Sequence, residues 1–233
     1  MGSNRSVLKD GLRLLGLAAF VASLALLGWW WIRVASRPIT GASAGAAAAD
    51  TVLFSVFALH HSLLARERLQ RPLRLLVPPD LLRTTYVVVA SLLLASTCLL
   101  WRPVGGLVYH ARGIGAASLY GVQLLGLGLT FLATRRISLR ELAGLDDPAR
   151  HVTAPLQHGG VYRIVRHPIY LGWVLMVGAA PVMTGDRLLF AAVSTVYLAL
   201  AIPFEEAGLL RTYGNAYRTY QRAVPSRLVP YIY

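Results

Sequence analysis

Three long stretches without a charged side chain restrict this chain to one class of fold. They are Leu14–Ile32, Thr84–Trp101 and Gly113–Thr134. An α-helix rises about 1.5 Å per residue, so each stretch is long enough to cross about 30 Å of hydrocarbon. Hydrophobic residues make up 56% of the chain and charged residues only 14%, a composition well outside that of typical soluble domains. The sequence therefore predicts an integral membrane protein.

The remaining apolar segments extend this prediction to a bundle. Thr51–Ala65 follows the small-residue stretch GASAGAAAA, which lengthens it enough to cross the membrane. Two further apolar runs, Pro168–Gly185 and Leu188–Phe204, are joined only by Asp186 and Arg187. So short a link forces the runs to lie antiparallel as a helical hairpin, with or without a full crossing. The predicted fold is all-α, a polytopic membrane helical bundle of five to six membrane segments.

The chain after Glu205 has the pattern of an amphipathic helix that lies on the membrane interface. Its apolar residues recur every three or four positions, and arginines occupy the rest of the helix surface. The apolar positions are Leu209, Tyr213, Tyr217, Tyr220 and Val224. We expect a single membrane domain over 1–233, composed of an amino-terminal four-helix part, 1–134, and a carboxy-terminal module, 135–233.

The formal net charge of +13 is distributed by loop. Basic residues are numerous at both termini, between 66 and 83 and between 135 and 166, and they are scarce in the alternate loops. The positive-inside rule then places both termini in the cytoplasm of a bacterial-type inner membrane, where the basic face meets anionic lipids and not nucleic acid. Cys98 is the only cysteine, so the sequence predicts neither a disulfide framework nor a cysteine-based metal site.

Arg166 and His167 stand immediately before Pro168, at the start of the predicted hairpin. Proline favours the first position of a helix and disfavours helical geometry in the residue before it, so the helix should begin at Pro168. Unpaired backbone N–H groups, the positive helix end and two donor side chains would then meet at the membrane surface, which suits a carboxylate. The alternative is that both side chains only anchor the helix among the headgroups.

Glu205 and Glu206 end the second arm of the hairpin, where adjacent carboxylates beside hydrocarbon are costly unless they have a function. An antiparallel hairpin returns them to the membrane face that carries His167. Cationic and anionic walls of this kind suit a zwitterionic ligand that also has a positive centre. Carboxylates that simply face water at a helix end are the alternative.

His60 and His61 lie near the cytoplasmic end of the second span, in the sequence HHSLLAR. Neighbouring residues point about 100° apart on a helix, so the two rings are poorly placed to ligate one metal ion. One of them could act as a hydrogen-bonding or general-base group, because imidazole titrates near neutral pH. A histidine with a purely structural role is the alternative.

Three short motifs follow one another in the last third of the chain: RHPxYxG, a pair of glutamates and GxxYxxY. The residues involved are Gly160, Val161, Tyr162, Val165, Arg166, His167, Pro168, Tyr170, Gly172, Glu205, Glu206, Leu209, Tyr213, Gly214, Tyr217, Tyr220, Val224, Pro225 and Pro230. This set resembles the isoprenylcysteine carboxyl methyltransferase family and its phospholipid N-methyltransferase relatives. The amino-terminal half is similar to membrane methanethiol S-methyltransferases and to a membrane family associated with bacterial nitrite and nitric oxide reduction. The similarity lies in the segments HSLLAR, Pro78-Pro79, RTTY and WRP.

The resemblance implies a methyltransferase with S-adenosylmethionine as methyl donor. Its zwitterionic end and its sulfonium suit the mixed-charge site. The cofactor-binding residues implied are Tyr162, Arg166, His167, Pro168, Tyr170, Gly172, Glu205, Glu206 and Tyr217. A thiol acceptor would need to reach the thiolate, which nearby positive charge favours. We expect His61, Arg83 and Arg102 to supply this catalytic environment, with no residue assigned as the general base.

The sequence leaves the methyl acceptor open. A thiol, either a small one such as methanethiol or a lipidic one, is the leading expectation, and a prenylcysteine carboxyl or a phospholipid amine is the alternative within enzymes. A non-catalytic membrane accessory factor for nitrite or nitric oxide respiration is the alternative from another class. Polar groups kept in costly positions favour an enzyme with a bound cofactor.

Overall fold

The structure is a computed structural model that describes residues 2–41, 43–64, 75–135, 155–230 and 233. These ranges contain seven α-helices, and five of them are long and apolar enough to cross a membrane. The helices are α1 (Gly2–Arg33), α2 (Ala44–Leu64), α3 (Leu82–Leu100), α4 (Gly113–Thr134), α5 (Pro168–Gly178), α6 (Gly185–Tyr213) and α7 (Asn215–Ala223). The five candidate spans are α1 to α4 and α6. The prediction of an all-α polytopic membrane bundle is confirmed.

Two short strands and two 3₁₀ turns complete the described elements. Strands β1 (Leu107–His110) and β2 (Val182–Thr184) pair antiparallel. The 3₁₀ turns are Pro79–Leu81 and Gly160–Arg163. Helix α6 begins directly after β2, where Thr184 caps it by accepting a hydrogen bond from the backbone N–H of Arg187.

The described residues form two compact units. Unit 1 contains residues 2–35, 43–64 and 75–103, and therefore α1, α2 and α3. Unit 2 contains residues 36–41, 104–135, 155–230 and 233, and therefore α4 to α7 and both strands. The sequence-based division of the chain into two parts was placed after residue 134, the last residue of α4. In the structure, α4 groups with the carboxy-terminal helices.

In unit 1, α3 packs against both α1 and α2. A Cβ atom on Gly16 of α1 would lie only 3.0 Å from Cγ2 of Thr84, so glycine allows the two helices to approach. At the other end of α3, the backbone N–H of Arg102 donates to the buried carboxylate of Asp50 at 3.0 Å. A buried carboxylate is tolerated only with such donors, so Asp50 ties the end of α3 to α2.

In unit 2, α4 and α5 approach each other through glycines. A Cβ atom on Gly126 would lie 2.6 Å from the carbonyl oxygen of Gly172, and a Cβ atom on Gly172 would lie 2.6 Å from that of Gly126. Because a side chain on either glycine would collide with the facing backbone, the two glycines set the spacing of the helices. Nε2 of Gln123 also donates to the carbonyl oxygen of Met176 at 2.8 Å. This contact explains why α4 groups with the carboxy-terminal helices.

The predicted hairpin forms from α5 and α6, but the predicted link is wrong, because Asp186 and Arg187 lie in the first turn of α6 and the connection is residues 179–184. The arms also differ greatly in length. Helix α5 has 11 residues, too few to cross the hydrocarbon alone, and α6 has 29. The sequence interpretation ended the second arm at Phe204 and began the amphipathic helix at Glu205. That boundary is wrong, because α6 continues through Pro203 to Tyr213 and the break falls at Gly214, whose φ is +51°. Glycine adopts this left-handed conformation readily, so it separates α6 from α7.

Candidate functional site

The RHP motif begins α5 as predicted. His167 is the N-cap residue, with φ and ψ of −120° and 64°, and Pro168 occupies the first turn. The carbonyl oxygen of His167 accepts the backbone N–H groups of Tyr170 and Leu171, both at 3.1 Å. These bonds fix the main chain of His167 at the start of the helix.

The carboxy-terminal tail pairs with the same motif. The backbone N–H of Arg166 donates to the carbonyl oxygen of Ser226 at 3.0 Å. The backbone N–H of His167 donates to the carbonyl oxygen of Arg227 at 2.9 Å. The tail is therefore held beside the start of α5, and it brings the side chain of Arg227 to the site.

Arg166 and Glu206 form a buried ion pair. Nε of Arg166 lies 2.6 Å from Oε1 of Glu206, and the two side chains are 5% and 4% exposed. Nη1 of Arg166 donates to the carbonyl oxygens of Val224 and Pro225, at 2.6 and 2.7 Å. Charge-assisted bonds of this kind are strong, and these bind the guanidinium to protein groups. Arg166 therefore holds α6 and the tail together.

Glu206 is surrounded by donors on both carboxylate oxygens. Oε2 accepts from Nε of Arg227 at 3.2 Å and from Nε2 of Gln221 at 3.4 Å. Oε1, which Arg166 contacts, also lies 3.5 Å from Nε2 of His167. The donors Arg166, Arg227 and Gln221 offset the cost of burying the charge. Glu206 therefore joins α5, α6, α7 and the tail at one point.

Glu205 has a different environment from its neighbour. Its side chain is 45% exposed, and Oε2 accepts the Tyr170 hydroxyl at 2.8 Å. The same oxygen lies 3.5 Å from Nδ1 of His167, whose ring stacks on Tyr170 with centroids 5.3 Å apart. Glu205 is thus oriented by two aromatic rings and keeps an accessible negative charge.

The imidazole of His167 is neutral near pH 7. Burial lowers the pKa of His167 below its ordinary value of 6.5, although Glu205 and Glu206 act in the opposite direction. A neutral ring has one N–H and one lone pair. Nε2 is buried and makes no well-formed hydrogen bond to the part of the chain that the structure describes. A buried polar atom in this state is one that a ligand could satisfy.

An aromatic cluster adjoins these charges. Tyr217 and Tyr220 of α7 are buried with Val224, and the Tyr220 hydroxyl donates to the carbonyl oxygen of Tyr162 at 2.7 Å. Burial, with the nearby charge of Glu206, raises the pKa of Tyr217, so its phenol stays protonated. Tyr162 also lines a cleft of about 290 Å³. The other residues of the cleft are Leu132, Ala133, Arg135, Gln157, Gly159, Gly160, Val161 and Ile164.

Two predicted cofactor residues have packing positions. Gly172 lies in the contact between α5 and α4, where the carbonyl oxygen of Gly126 occupies the space next to it. Pro168 is buried in the first turn of α5. Both residues shape the helix that carries the site.

Two of the predicted catalytic residues lie near the same end of α3 in unit 1. The Tyr86 hydroxyl is 2.9 Å from Nδ1 of His61 and 3.0 Å from its carbonyl oxygen. The ring of His60 stacks on the Tyr86 ring with centroids 5.6 Å apart. Arg83 stands one helical turn before Tyr86 and is half-buried.

Arg102 lies at the other end of this helix. Helix α3 has 19 residues and runs from Leu82 to Leu100. At about 1.5 Å per residue, this separates Arg83 and Arg102 by nearly the thickness of the hydrocarbon. The structure therefore does not bring Arg102 together with Arg83 and His61.

Sequence reasoning missed Arg227 and Gln221, which contact Glu206. The sequence did contain one signal for a cationic partner in this region. A buried glutamate requires cationic partners, and the residues after Glu206 include arginines but no Asp or Glu that would compete for them. The chain after Glu206, however, contains four arginines: Arg211, Arg218, Arg222 and Arg227. Only the folded tail distinguishes Arg227 from the other three.

Comparison with known proteins agrees with this architecture. The phospholipid methyltransferase family model matches residues 117–216. Methanethiol S-methyltransferase 2 of Bradyrhizobium diazoefficiens is 36% identical over 194 residues, which are 79% of this chain and 73% of that protein. Methanethiol S-methyltransferase of Mycobacterium tuberculosis is 35% identical over 206 residues, 85% of this chain and 84% of that protein. Protein-S-isoprenylcysteine O-methyltransferase B of Arabidopsis thaliana is 32% identical over 117 residues, 48% and 59% of the two chains. No protein of known structure gives a significant match.

The membrane-spanning helices and the matches to methyltransferases define an integral membrane methyltransferase. The names of the matched relatives indicate different methyl acceptors. The two relatives that match most of this chain, however, are both methanethiol S-methyltransferases. The chain belongs to the methanethiol S-methyltransferase family. The predicted resemblance and the predicted enzyme class are thereby confirmed, and a non-catalytic accessory role is set aside.

Proposed function

We propose that the protein transfers a methyl group from S-adenosylmethionine to a small thiol such as methanethiol. The proposal rests on the extent of the likeness. It covers 85% of the chain for a methanethiol S-methyltransferase and 48% for an isoprenylcysteine methyltransferase. A prenylcysteine carboxyl or a phospholipid amine is therefore the second choice of acceptor.

The residues of unit 2 fit the methyl donor. Glu205 offers a half-exposed negative charge to a ligand with positive centres. Nε2 of His167 and the Tyr217 hydroxyl are buried without a well-formed hydrogen bond in the described residues. The cleft beside Tyr162 provides apolar and backbone surface for an uncharged part of the ligand. When bound, S-adenosylmethionine would supply a methyl group that its positive sulfur has already activated.

Methyl transfer of this kind needs alignment and exclusion of water more than acid or base strength. The ion pair of Arg166 and Glu206 keeps α6 and the tail in fixed positions, and Tyr170 orients Glu205. A thiol acceptor would release its proton to solvent when its sulfur takes the methyl group, and the demethylated donor would leave with the electrons of the broken carbon–sulfur bond. We assign the environment that favours the thiolate to His61 and Arg83, with no residue named as general base.

We further propose that both termini and the donor site face the cytoplasm of a bacterial-type inner membrane. The distribution of basic residues among the loops supports this orientation.

The test is turnover by the detergent-purified protein. Methanethiol and S-adenosylmethionine should give dimethyl sulfide, measured by gas chromatography of the headspace, and a prenylcysteine acceptor should give no methyl ester. Methylation of the prenylcysteine alone would refute the choice of acceptor. Folded protein that binds the donor and yet leaves methanethiol unchanged would also refute it.

The acceptor-side assignment has its own test. His61→Ala and Arg83→Gln should each lower kcat while calorimetric affinity for S-adenosylmethionine stays at the wild-type value, because both residues act on the thiol. Arg102→Gln is the matched control and should change neither quantity, since Arg102 lies at the other end of α3. Donor affinity lost in step with turnover would contradict the assignment.

A further inference from the structure

We infer that Arg227 binds the carboxylate at the amino-acid end of S-adenosylmethionine. The inference deepens the proposed function and rests on that donor. It assigns a binding role to a residue of the carboxy-terminal tail, beyond the segment 117–216 that matches the family model.

The two arginines of the site differ in what they can offer a ligand. The side chain of Arg166 is 5% exposed, and its Nε and Nη1 already donate to three protein acceptors. The side chain of Arg227 is 37% exposed and donates to Glu206 through Nε alone, at 3.2 Å. Among the residues that the structure describes, its Nη1 has a long contact, 3.5 Å, with the Tyr233 hydroxyl. Since a guanidinium has five N–H donors, the outer edge of Arg227 remains available for a carboxylate.

Arg227 is also held in place before any ligand arrives. Its carbonyl oxygen accepts the backbone N–H of His167 at 2.9 Å, which fixes the main chain. Glu206 holds Nε, and the guanidinium lies over the ring of Tyr233 at 5.4 Å from the centroid. Although burial acts to lower the pKa of Arg227, the carboxylate of Glu206 raises it overall, so the group stays charged. A side chain ordered in this way loses little entropy on binding.

The balance of charge requires a cation at this position. With His167 neutral, Arg166 and Arg227 balance Glu205 and Glu206. A zwitterionic ligand then finds a partner for each end, its positive centre at Glu205 and its carboxylate at Arg227. If Arg227 were absent, the carboxylate of the ligand would lie near the negative charges of Glu205 and Glu206. The remaining cation, Arg166, is buried against Glu206 and could not offset this repulsion.

The experiment compares two ligands that differ only in the carboxylate. Calorimetry would measure the affinity of the detergent-purified protein for S-adenosylmethionine and for its decarboxylated form. Arg227→Gln should weaken S-adenosylmethionine about 10- to 100-fold, as expected for one charge-assisted contact, and leave the decarboxylated ligand unchanged. Arg222→Gln is the matched control, because Arg222 is an exposed arginine of α7 whose contact is with Thr219, and it should affect neither affinity.

Each outcome decides the inference. If Arg227→Gln weakens both ligands equally, Arg227 acts only through Glu206 and the inference is overturned. Wild-type protein that binds both ligands with the same affinity overturns it without any variant, which covers the case of a variant that does not fold. In both cases the donor proposal survives. Folded wild-type protein that binds neither ligand overturns the donor proposal itself, and the role of Arg227 with it.

Discussion

Replacing Glu206 with glutamine should destabilise the protein much more than the same change at Glu205. The Glu206 carboxylate is 4% exposed and lies 2.6 Å from Nε of Arg166. The Glu205 carboxylate is 45% exposed and has a hydroxyl, that of Tyr170, at 2.8 Å. Glu206→Gln would leave the guanidinium of Arg166 buried without its counter-ion, whereas Glu205→Gln removes a charge that water already solvates.

The structure sets the size of the difference. Removing one partner of a buried ion pair costs about 3–5 kcal/mol. Glutamine keeps the shape of Glu206 and can still accept one bond from Arg166, so we expect a loss of about 3 kcal/mol, at the lower end of that range. Glu205→Gln should cost less than about 1 kcal/mol, since exposed charge contacts are weak and an amide oxygen still accepts from Tyr170.

Unfolding by sodium dodecyl sulfate in mixed micelles, followed by tryptophan fluorescence, would measure both variants. Glu205→Gln should also weaken S-adenosylmethionine binding while stability is retained, which separates ligand binding from folding. The double variant Arg166→Met with Glu206→Met should lose less unfolding free energy than the sum of the losses of Arg166→Met and Glu206→Met measured singly. The double variant leaves no unpaired charge buried, whereas each single variant does. Equal destabilisation by Glu205→Gln and Glu206→Gln would refute this view of the site.

Two further predictions concern packing and protonation. Gly172→Ala should cost about 1–3 kcal/mol of unfolding free energy, because the new methyl group meets the backbone of α4. Gly121→Ala is its control and should cost nothing, since no described atom beyond its own stretch of α4 lies within 4 Å of the added carbon. Stability should fall as the pH drops below 6.5, because the lowered pKa of His167 means that the unfolded chain takes up its proton first. His167→Gln should reduce this loss, as measured by unfolding on either side of pH 6.5.

Two results would contradict these predictions. A Gly172→Ala protein as stable as Gly121→Ala would mean that α4 and α5 are not in the close contact described. A pH dependence that His167→Gln leaves unchanged would mean that other groups cause the acid loss.

The helices and the start of the site could be predicted because their signals are local. The length of an uncharged run gives a membrane span, and a proline after His167 gives the first turn of α5. The end of α6 could not be predicted in this way. The polar residues Glu205 and Glu206 mark the edge of the apolar run, and this edge suggested the end of the helix. A helix continues through polar positions, however, until the backbone adopts another conformation, which happens at Gly214.

The separate roles of Glu205 and Glu206 were beyond local patterns for a physical reason. Neighbours on a helix point about 100° apart, so one of them faces the protein interior and the other the site, and nothing in the pair itself decides which. The decision comes from Arg166 and Arg227, which are 40 and 21 positions away in the chain and reach Glu206 only when the tail folds back on α5. A motif read as one ligand-binding unit therefore divides in the structure. Arg166 and Glu206 are buried against each other, whereas the side chains of Glu205 and Arg227 are partly exposed.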